Sequence, residues 1–449
     1  MAAFAVVLVL FLKPMPSARE EIKKMANVAT STPENQKTKI VYAVHWMDKF
    51  QIDGIYENGI LKEKGLMQYL DEYVALHPNI KFEIMTIPYL EYENKLKLLD
   101  DVDAVPDIFQ IYSLWGVSYV EDNMIDNPPK DIKLDVEKNY VSKAGATIDG
   151  DIWGIPGEIN DYSLIYNKKM FKDAGIVDKN GEALAPKTWN DLVMAAKKLA
   201  KKDDKGNITR YGFAFTKGMD WAVVDPFLSL LMSNGGSYLS ADNSQALFNS
   251  PAGVEVLNSI CGLFKNGATD VNSNVWDFSD GKVAMAFVAP WTEGVFKEAM
   301  GDRFEKEVAV APIPYFKNPA SLQYDWFLGV MNKSKNKQAS WDFLRWFTTD
   351  IQPDRGTTRY GDLLARTIKA IPNRKVDLEN NKDMLENNFF KTPFISQLLI
   401  STPQPNILHA AEIREIMLGE IEAAFAGKDA KRALDDAAVK INNILKQNK

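Results

Sequence analysis

The feature that most constrains the fold is the alternation of strand and helix patterns in the first quarter of the chain. Short β-branched or alternating apolar segments typical of strands are separated by stretches in which apolar residues recur every three to four positions, as on a buried helix face. The patterns alternate as strand, helix, strand, helix and strand at 39–44, 66–76, 80–87, 92–99 and 107–112. This order predicts a parallel sheet with right-handed crossovers, so we expect an α/β protein.

The second half of the chain repeats this alternation without repeating the sequence. Thr188 is placed as the N-cap of a helix, with Asp191 three residues later, close to a capping box. Strand patterns occur at 210–215, 283–288, 308–312 and 326–331, and amphipathic helix patterns at 339–347, 413–425 and 430–445. With 449 residues, the chain is long enough for two or three domains, or for two lobes that share it.

Composition and charge exclude several classes of function. The formal net charge of −7 provides no positive field for phosphate backbones, so we expect no nucleic-acid partner. One cysteine and three distant histidines match neither a disulfide framework nor a zinc site, and Cys261, in an apolar context, is interpreted as a buried thiol. Neither a phosphate-binding glycine loop nor a Gly-x-Ser-x-Gly elbow occurs. We therefore expect no cofactor and no metal.

The N-terminal residues indicate export. Ala2–Leu12 is an uninterrupted apolar run, which is too short to cross a bilayer as a helix but suits the apolar region of a secretory signal. The polar stretch that follows is typical of a tether. We interpret residues 1–37 as an export signal or anchor with its tether, and predict an extracytoplasmic location.

Tryptophans are the most informative residue class. Ten occur, and several follow predicted strands or begin loops beside polar residues. An indole face suits the apolar face of a sugar ring, whose hydroxyls need hydrogen-bond partners. Trp189 and Trp341 lie on amphipathic helices and are assigned to the core. The candidate carbohydrate-binding residues are Trp46, Trp115, Trp221, Trp291 and Trp326, with the polar neighbours Asp48, Lys49, Tyr112, Ser113, Asp220 and Asp325.

Glu158 and Asp161 raise a competing interpretation. Glycosidases use two carboxyl groups that flank the scissile bond, and these two acids are close in sequence. A chain with 60 acidic residues contains many such pairs by chance. The pair therefore does not by itself indicate an enzyme, and we expect a non-enzymatic protein.

Six sequence blocks occur in a characteristic order between residues 106 and 343. They are PDIF at 106–109, WGIPGEINDYSLIYNK at 153–168, FKDAGI at 171–176, PKTWND at 186–191, GKVAMAFVAPW at 281–291 and FLGVMNKSKNKQASWDF at 327–343. Together they resemble the bacterial extracellular solute-binding proteins of ABC transporters, in the sugar-binding group that includes maltose-binding protein. The resemblance extends from about residue 39 to the C-terminus.

The resemblance implies a fold and its boundaries. It implies a two-lobe periplasmic-binding-protein fold of type II, with the ligand in a cleft between α/β lobes that closes on binding. Lobe I would comprise residues 38–160 and 322–360, and lobe II residues 161–321 and 361–449. The implied partners are a carbohydrate, expected to be an oligosaccharide, and the membrane permease of an ABC transporter, and we expect the protein to be a monomer.

The resemblance also implies site residues. The block at 158–162 is similar to the first hinge, whose polar side chains face the ligand, and Trp291 ends the block whose tryptophan stacks on sugar. Asp48 and Lys49 resemble the polar pair after the first strand. The remaining implied ligand contacts are Glu158, Asn160, Asp161 and Asn406.

Two departures from the family pattern leave the ligand open. The segment at 46–59 is longer than in maltose-binding relatives, and Gln110–Ser113 follows the PDIF block, so stacking there would come from Tyr112 or Trp115. A polyamine, a metal ion or a phosphorylated small molecule stays an alternative ligand. A glycan-acting enzyme and a sensor that presents its sugar to a membrane receptor also stay open as functions.

Overall fold

The computed structural model describes residues 37–45 and 48–447, and its strands form one large sheet, one small sheet and three two-stranded ribbons. The first eight strands are β1 (Thr38–Val44), β2 (Ile55–Glu57), β3 (Ile60–Glu63), β4 (Ile80–Thr86), β5 (Ile108–Tyr112), β6 (Thr147–Ile148), β7 (Asp151–Ile152) and β8 (Ile155–Asn160). The other eight are β9 (Ser163–Asn167), β10 (Lys201–Lys202), β11 (Ile208–Arg210), β12 (Met285–Val288), β13 (Val308–Pro312), β14 (Ser321–Val330), β15 (Ile371–Pro372) and β16 (Ser401–Pro403).

The α-helices pack around these sheets. Those before the last long strand are α1 (Lys49–Asp53), α2 (Leu66–Leu76), α3 (Tyr89–Asp101), α4 (Gly116–Glu121), α5 (Lys130–Asn139), α6 (Lys168–Asp173), α7 (Trp189–Leu199), α8 (Asp220–Ser233), α9 (Pro251–Lys265), α10 (Thr292–Met300) and α11 (Arg303–Glu307). Those after it are α12 (Lys337–Thr348), α13 (Arg359–Asp362), α14 (Lys375–Asn380), α15 (Lys382–Glu386), α16 (Thr392–Gln397), α17 (Ala410–Phe425) and α18 (Ala430–Gln447). A π-helical turn at Leu363–Ile368 extends α13.

The large sheet is mixed, with the strand order β15-β8-β14-β5-β1-β4 and β16 beside β14. The predicted parallel arrangement is confirmed for β4, β1 and β5 but is wrong for the sheet as a whole, because β14 pairs antiparallel with both β5 and β8. The register pairs Trp326 with Tyr112 and Val330 with Ile108, so β14 enters at the carboxyl end of β5. β14 has this direction because the chain reaches it from β13 of the small sheet, which lies beyond the carboxyl edge of the large sheet.

The small sheet has β9 at its centre, with β12 and β13 antiparallel on either side. The predicted strands near 283–288 and 308–312 are therefore present. The strand predicted at 210–215 is wrong in extent, since β11 ends at Arg210 and only isolated bridges follow at Tyr211 and Ala214. The strand ends early because the Gly212 N–H donates its hydrogen bond to Ala268 O rather than to a neighbouring strand.

One hydrophobic core lies beside the large sheet. The apolar face of α2 is buried there, as its spacing predicts, against aromatic residues of α12 such as Phe343 and Phe347. Leu363, Leu364 and Ile368 pack in the same cluster. Each large apolar side chain buried in this way contributes about 1.5–3 kcal/mol. Residues 360–370 therefore pack with the large sheet, although the resemblance assigns most of them to lobe II.

A second core packs the helices beside the small sheet and continues to the large sheet through Phe109 and Ile111 of β5. The capping box at Thr188 and Asp191 is formed, and Trp189 is buried, as is Trp341 beside the large sheet. Cys261 is buried on α9, and burial raises its pKa to about 11, so the inert interpretation of this thiol is supported. Within the described part of the chain, we find no helix whose length and apolarity would let it span a membrane.

Candidate functional site

A cavity of about 430 Å³ lies where the two halves of the molecule face each other. Residues beside the large sheet line one wall, and residues beside the small sheet line the other. Half of the lining residues are aromatic, and a few are acidic or amide side chains. The lining residues are His45, Asp48, Gln51, Pro88, Tyr89, Leu90, Glu91, Tyr112, Glu158, Met219, Trp221, Trp276, Trp291, Tyr324, Trp326 and Ile368.

The first wall is a stack of three rings at the carboxyl edge of the large sheet. His45 follows β1, Tyr112 ends β5, and Trp326 lies opposite Tyr112 on β14. The His45 ring lies parallel to that of Trp326, with ring centroids 3.8 Å apart. The Tyr112 ring also stacks on Trp326, with ring centroids 5.2 Å apart and 22° between the ring planes. Trp326 is 5% exposed, so its ring is held in one orientation by its neighbours.

His45 is kept neutral by its surroundings. Its N–H and its ring Nδ1 both lie within hydrogen-bond distance of Gln110 Oε1, at 2.9 and 2.8 Å. Burial lowers the pKa of the imidazole to about 3, because the charged form would lose its hydration. The ring therefore presents an uncharged aromatic surface at neutral pH.

Trp115 supports this wall from behind. Its ring packs edge-on against those of Trp326 and Tyr112, with ring centroids 5.5 and 5.3 Å away. It also stacks on Tyr89 at 6.1 Å, and Tyr89 lines the cavity. Trp115 itself is outside the cavity lining, so of the two predicted stacking residues it is Tyr112 that faces the cavity.

The second wall is a cluster of three tryptophans. Trp221 lies in the first turn of α8, Trp291 immediately precedes α10, and Trp276 lies in a short 3₁₀ turn. The Trp221 centroid lies 5.8 Å from that of Trp291 and 5.9 Å from that of Trp276. Trp276 and Trp291 are 6.1 Å apart, so each ring contacts the other two.

Tyr324 joins the two walls. It lies two residues before Trp326 on β14, and its hydroxyl accepts a hydrogen bond of 2.9 Å from Trp291 Nε1. Its ring also packs edge-on against Tyr112 at 5.8 Å. A single side chain therefore contacts the aromatic residues of both halves.

Glu158 is the most deeply buried acid of the cavity lining. It lies on β8, is 5% exposed, and its Oε2 atom has no hydrogen-bond partner among the described residues. Burial, with a further contribution from the nearby Asp325 carboxylate, raises the pKa of Glu158 from 4.5 to about 8. At neutral pH this carboxyl group is largely protonated, so it can donate as well as accept a hydrogen bond.

Asp325 and Ser113 lie outside the lining, beneath the wall. Asp325 accepts hydrogen bonds from Gln323 Nε2 at 3.2 Å and from the Gly145 N–H at 3.3 Å, and its own N–H donates to Ser113 Oγ. Burial raises the pKa of Asp325 to about 7. Both residues position β14 rather than face the cavity.

Asn160 and Asp161 are fully buried at the crossover from β8 to β9 and do not line the cavity. Neither carboxylate oxygen of Asp161 has a hydrogen-bond partner among the described residues, and burial raises its pKa well above the usual range. Asn406 also lies outside the lining, where its Nδ2 donates to Ala144 O and Thr147 O, each at 2.7 Å.

The mouth of the cavity contains Asp48. It immediately precedes α1 and lines the cavity, whereas the adjacent Lys49 is exposed outside it. Partial burial and Glu298 on α10 raise the pKa of Asp48. Helix α1 lies close to α10, since a Cβ on Gly294 would lie 3.2 Å from Phe50 Cζ. The predicted residue Trp46 falls outside the described residues.

The structure thus brings together Asp48, Tyr112, Glu158, Trp221, Trp291 and Trp326 from the predicted residues. It adds four aromatic residues that the sequence analysis did not select, namely His45, Tyr89, Trp276 and Tyr324. Tyr324 had a usable signal, because residues two apart on a strand share a face and Trp326 was already a candidate. For Trp276 the only signal was that it is a tryptophan, because the turn that contains it has neither a helix nor a strand pattern.

Comparisons with known proteins identify related sequences. The family model of the bacterial extracellular solute-binding proteins matches residues 59–352. A maltotriose-binding protein of Pyrococcus abyssi (strain GE5 / Orsay) is 25% identical over 315 residues, covering 66% of this chain and 62% of its own length. A maltooligosaccharide ABC transporter solute-binding lipoprotein of Streptococcus pneumoniae (strain ATCC BAA-255 / R6) is 24% identical over 423 residues, covering 88% of this chain and 90% of its own.

A solved structure has the same fold. The GacH receptor of Streptomyces glaucescens, determined unliganded and in complex with acarbose, is 20% identical and superposes with a TM-score of 0.74, over 92% of this chain and 100% of its own. The predicted two-lobe periplasmic-binding-protein fold of type II, with its cleft between the lobes, is thereby confirmed. With the match to residues 59–352, the chain belongs to the bacterial extracellular solute-binding protein family.

Proposed function

We propose that this protein captures a carbohydrate in its cleft, outside the cytoplasm, and delivers it to the membrane permease of an ABC transporter. The observation that carries the proposal is one cavity with aromatic walls on two sides, His45, Tyr112 and Trp326 on one and three tryptophans on the other. Sugar rings suit such walls because their C–H faces are apolar while their hydroxyls lie at the edges. Asp48, Gln51 and Glu158 lie where these hydroxyls need partners.

The names of the relatives support an oligosaccharide as the ligand. The Pyrococcus relative is named for maltotriose, the Streptococcus relative for maltooligosaccharides, and the Streptomyces receptor was determined with acarbose. The Streptococcus relative is also named as part of an ABC transporter, which supports delivery to a permease. We retain residues 1–37 as the export signal or anchor, and a monomer as the functional unit.

We propose lobe boundaries that differ slightly from those implied by the resemblance. Lobe I would comprise residues 38–160 and 322–372, because Leu363, Leu364 and Ile368 pack in the core beside the large sheet and β15 pairs with β8 in that sheet. Lobe II would comprise residues 161–321 and 373–449. A ligand that contacts both lobes favours the closed arrangement, since its differential affinity shifts the population toward that state.

We propose binding without covalent chemistry. The Pyrococcus and Streptococcus relatives are named as binding proteins, which supports a non-enzymatic role. The acid pair that would suggest a glycosidase is divided, since Glu158 lines the cavity and Asp161 does not. We therefore expect any bound sugar to be recovered intact after prolonged incubation.

Intrinsic tryptophan fluorescence tests this proposal directly, because four tryptophans among the described residues line the cavity. The experiment titrates the protein with neutral mono- and oligosaccharides, including maltose, maltotriose and maltotetraose. A saturable change supports the proposal, and recovery of unaltered ligand by mass spectrometry supports binding over catalysis. The control is Trp346→Phe, since Trp346 lies outside the cavity, against the Arg359 guanidinium at 4.0 Å. A saturable signal carried by Trp346, or no response to any carbohydrate, would contradict the proposal.

A further inference from the structure

The charges around the cavity are strongly one-sided. Among the described residues, its lining contains the three carboxyl groups of Asp48, Glu91 and Glu158 but no lysine or arginine. The imidazole of His45 is uncharged at neutral pH because burial lowers its pKa to about 3. A cavity of this kind attracts positive charge and opposes phosphate or carboxylate groups on a ligand.

Glu158 has a hydrogen bond with the neutral side chain of Asn160 but no positively charged partner among the described residues. The groups that face it are the Asp325 carboxylate and the Tyr324 hydroxyl from β14, the Tyr42 hydroxyl from β1 and the Tyr360 hydroxyl from α13. None of these groups is positively charged, and Glu158 Oε2 accepts no hydrogen bond from the described residues. Without a counter-charge the Glu158 carboxyl group stays largely protonated at neutral pH, and a cation placed in the cavity would pair with it once its proton is released.

The aromatic walls also favour a cation. The electron-rich faces of indole and phenol rings attract ammonium groups within about 6 Å, most strongly where water is excluded. Trp221, Trp276 and Trp291 form such a surface on one side, and Tyr89 lines the opposite side. The same rings accept the apolar face of a sugar. One ligand with both features would use the whole lining.

We infer that the cleft selects a carbohydrate that carries a protonated amine, with its ammonium group beside Glu158 and its ring faces on the indoles. This inference rests on the proposed carbohydrate function and narrows it. The ammonium group supplies the positive charge that the lining lacks, and it donates to Glu158 and to the carboxyl groups at the mouth. A neutral sugar would leave Glu158 protonated, and a phosphorylated sugar would meet three carboxyl groups and no lysine or arginine among the described lining residues.

The test uses matched sugars that differ only at C2. Glucose, galactose and mannose are each compared with their 2-amino and 2-acetamido derivatives by isothermal titration calorimetry at pH 6.5. At least one amino sugar is expected to bind about tenfold or more tightly than both its hydroxyl parent and its acetamido derivative. Titration in two buffers of different ionisation enthalpy should show release of nearly one proton, because Glu158 must ionise to pair with the ammonium.

Variants separate this inference from the proposed function. Glu158→Gln should remove both the preference for the amino sugar and the proton release. Glu121→Gln, an exposed acid on α4 outside the cavity lining, should change neither. Equal affinity of the parent and amino sugars, or tighter binding of the parent, would overturn the inference and leave the carbohydrate function standing. Absence of binding by all nine sugars and by the neutral oligosaccharides would overturn both.

Discussion

Replacement of Trp291 by alanine gives the most direct test of the cleft. Its ring packs against Trp221 at 5.8 Å and Trp276 at 6.1 Å, and its Nε1 donates to the Tyr324 hydroxyl at 2.9 Å. The variant removes one surface of the second wall together with the hydrogen bond that Trp291 donates to Tyr324 on β14. We expect the free energy of carbohydrate binding to weaken by about 1–3 kcal/mol, which raises Kd roughly 5- to 150-fold.

The cost of this substitution to folding can be estimated from the same contacts. Two aromatic pairs contribute about 0.5–1.5 kcal/mol each, and a hydrogen bond contributes about 1 kcal/mol. Together, losing these contacts lowers the free energy of unfolding by a few kcal/mol. Folded domains have a free energy of unfolding of roughly 5–15 kcal/mol, so the variant should still fold. Trp291 is half-buried rather than enclosed, which limits the cavity that the variant leaves.

Fluorescence and calorimetric titration with the same sugar would measure Kd for wild type, Trp291→Ala and Trp291→Phe. The phenylalanine variant keeps an aromatic face but loses the hydrogen bond to Tyr324, so its Kd should lie between the other two. Circular dichroism and thermal melting would confirm that each variant is folded. An unchanged Kd in a folded Trp291→Ala protein would remove Trp291 from the ligand site and refute the two-wall interpretation.

Three further predictions concern the walls and their support. Tyr324→Phe should raise Kd about 2- to 10-fold with little change in melting temperature, because it removes only the hydroxyl that accepts from the second wall. Arg414→Leu should lower the free energy of unfolding, measured with urea, by about 3–5 kcal/mol, since it leaves the buried Asp225 without its charged partner. The control is Arg432→Leu, which removes an exposed ion pair and should lower the free energy of unfolding by at most about 1 kcal/mol. Folding raises the pKa of Glu158 from 4.5 to about 8. The free energy of unfolding should therefore be highest below pH 4.5. Between pH 4.5 and 8 it should fall by about 1.4 kcal/mol per pH unit more in the wild type than in Glu158→Gln, as measured by urea titration at each pH. Equal pH slopes in wild type and Glu158→Gln would contradict that assignment.

The elements of lobe I could be predicted from sequence where a pattern is local. The apolar spacing of α2 and the β-branched run of β1 each determine their own element, and both occur where predicted. The mixed sheet could not be predicted in this way, because the direction of β14 depends on where the chain returns after lobe II. Residues 361–370 show the same limit, since the packing of Leu363, Leu364 and Ile368 beside the large sheet does not follow from their local pattern.

The candidate site was predictable where the residue type itself indicates chemistry. Trp291 and Trp326 were selected as tryptophans with polar neighbours, and both line the cavity. Position rather than residue type determines the rest. Asn406 and Trp115 have suitable side chains but lie outside the lining, as supports of neighbouring segments. His45 has no motif, and only its position after β1 places its ring on Trp326.

Strand β14 provides a physical reason why one ligand can report on both lobes. Trp326 belongs to the first wall, and Tyr324, two residues earlier on the same strand, bonds to Trp291 of the second. Across the mouth, the approach of Phe50 to Gly294 brings the lobes together, while the like charges of Asp48 and Glu298 oppose it. The approach at the mouth is therefore opposed by repulsion between these two carboxylates. A ligand that contacts both walls favours the closed arrangement through its differential affinity, and a ligand that contacts only one wall would not shift that equilibrium.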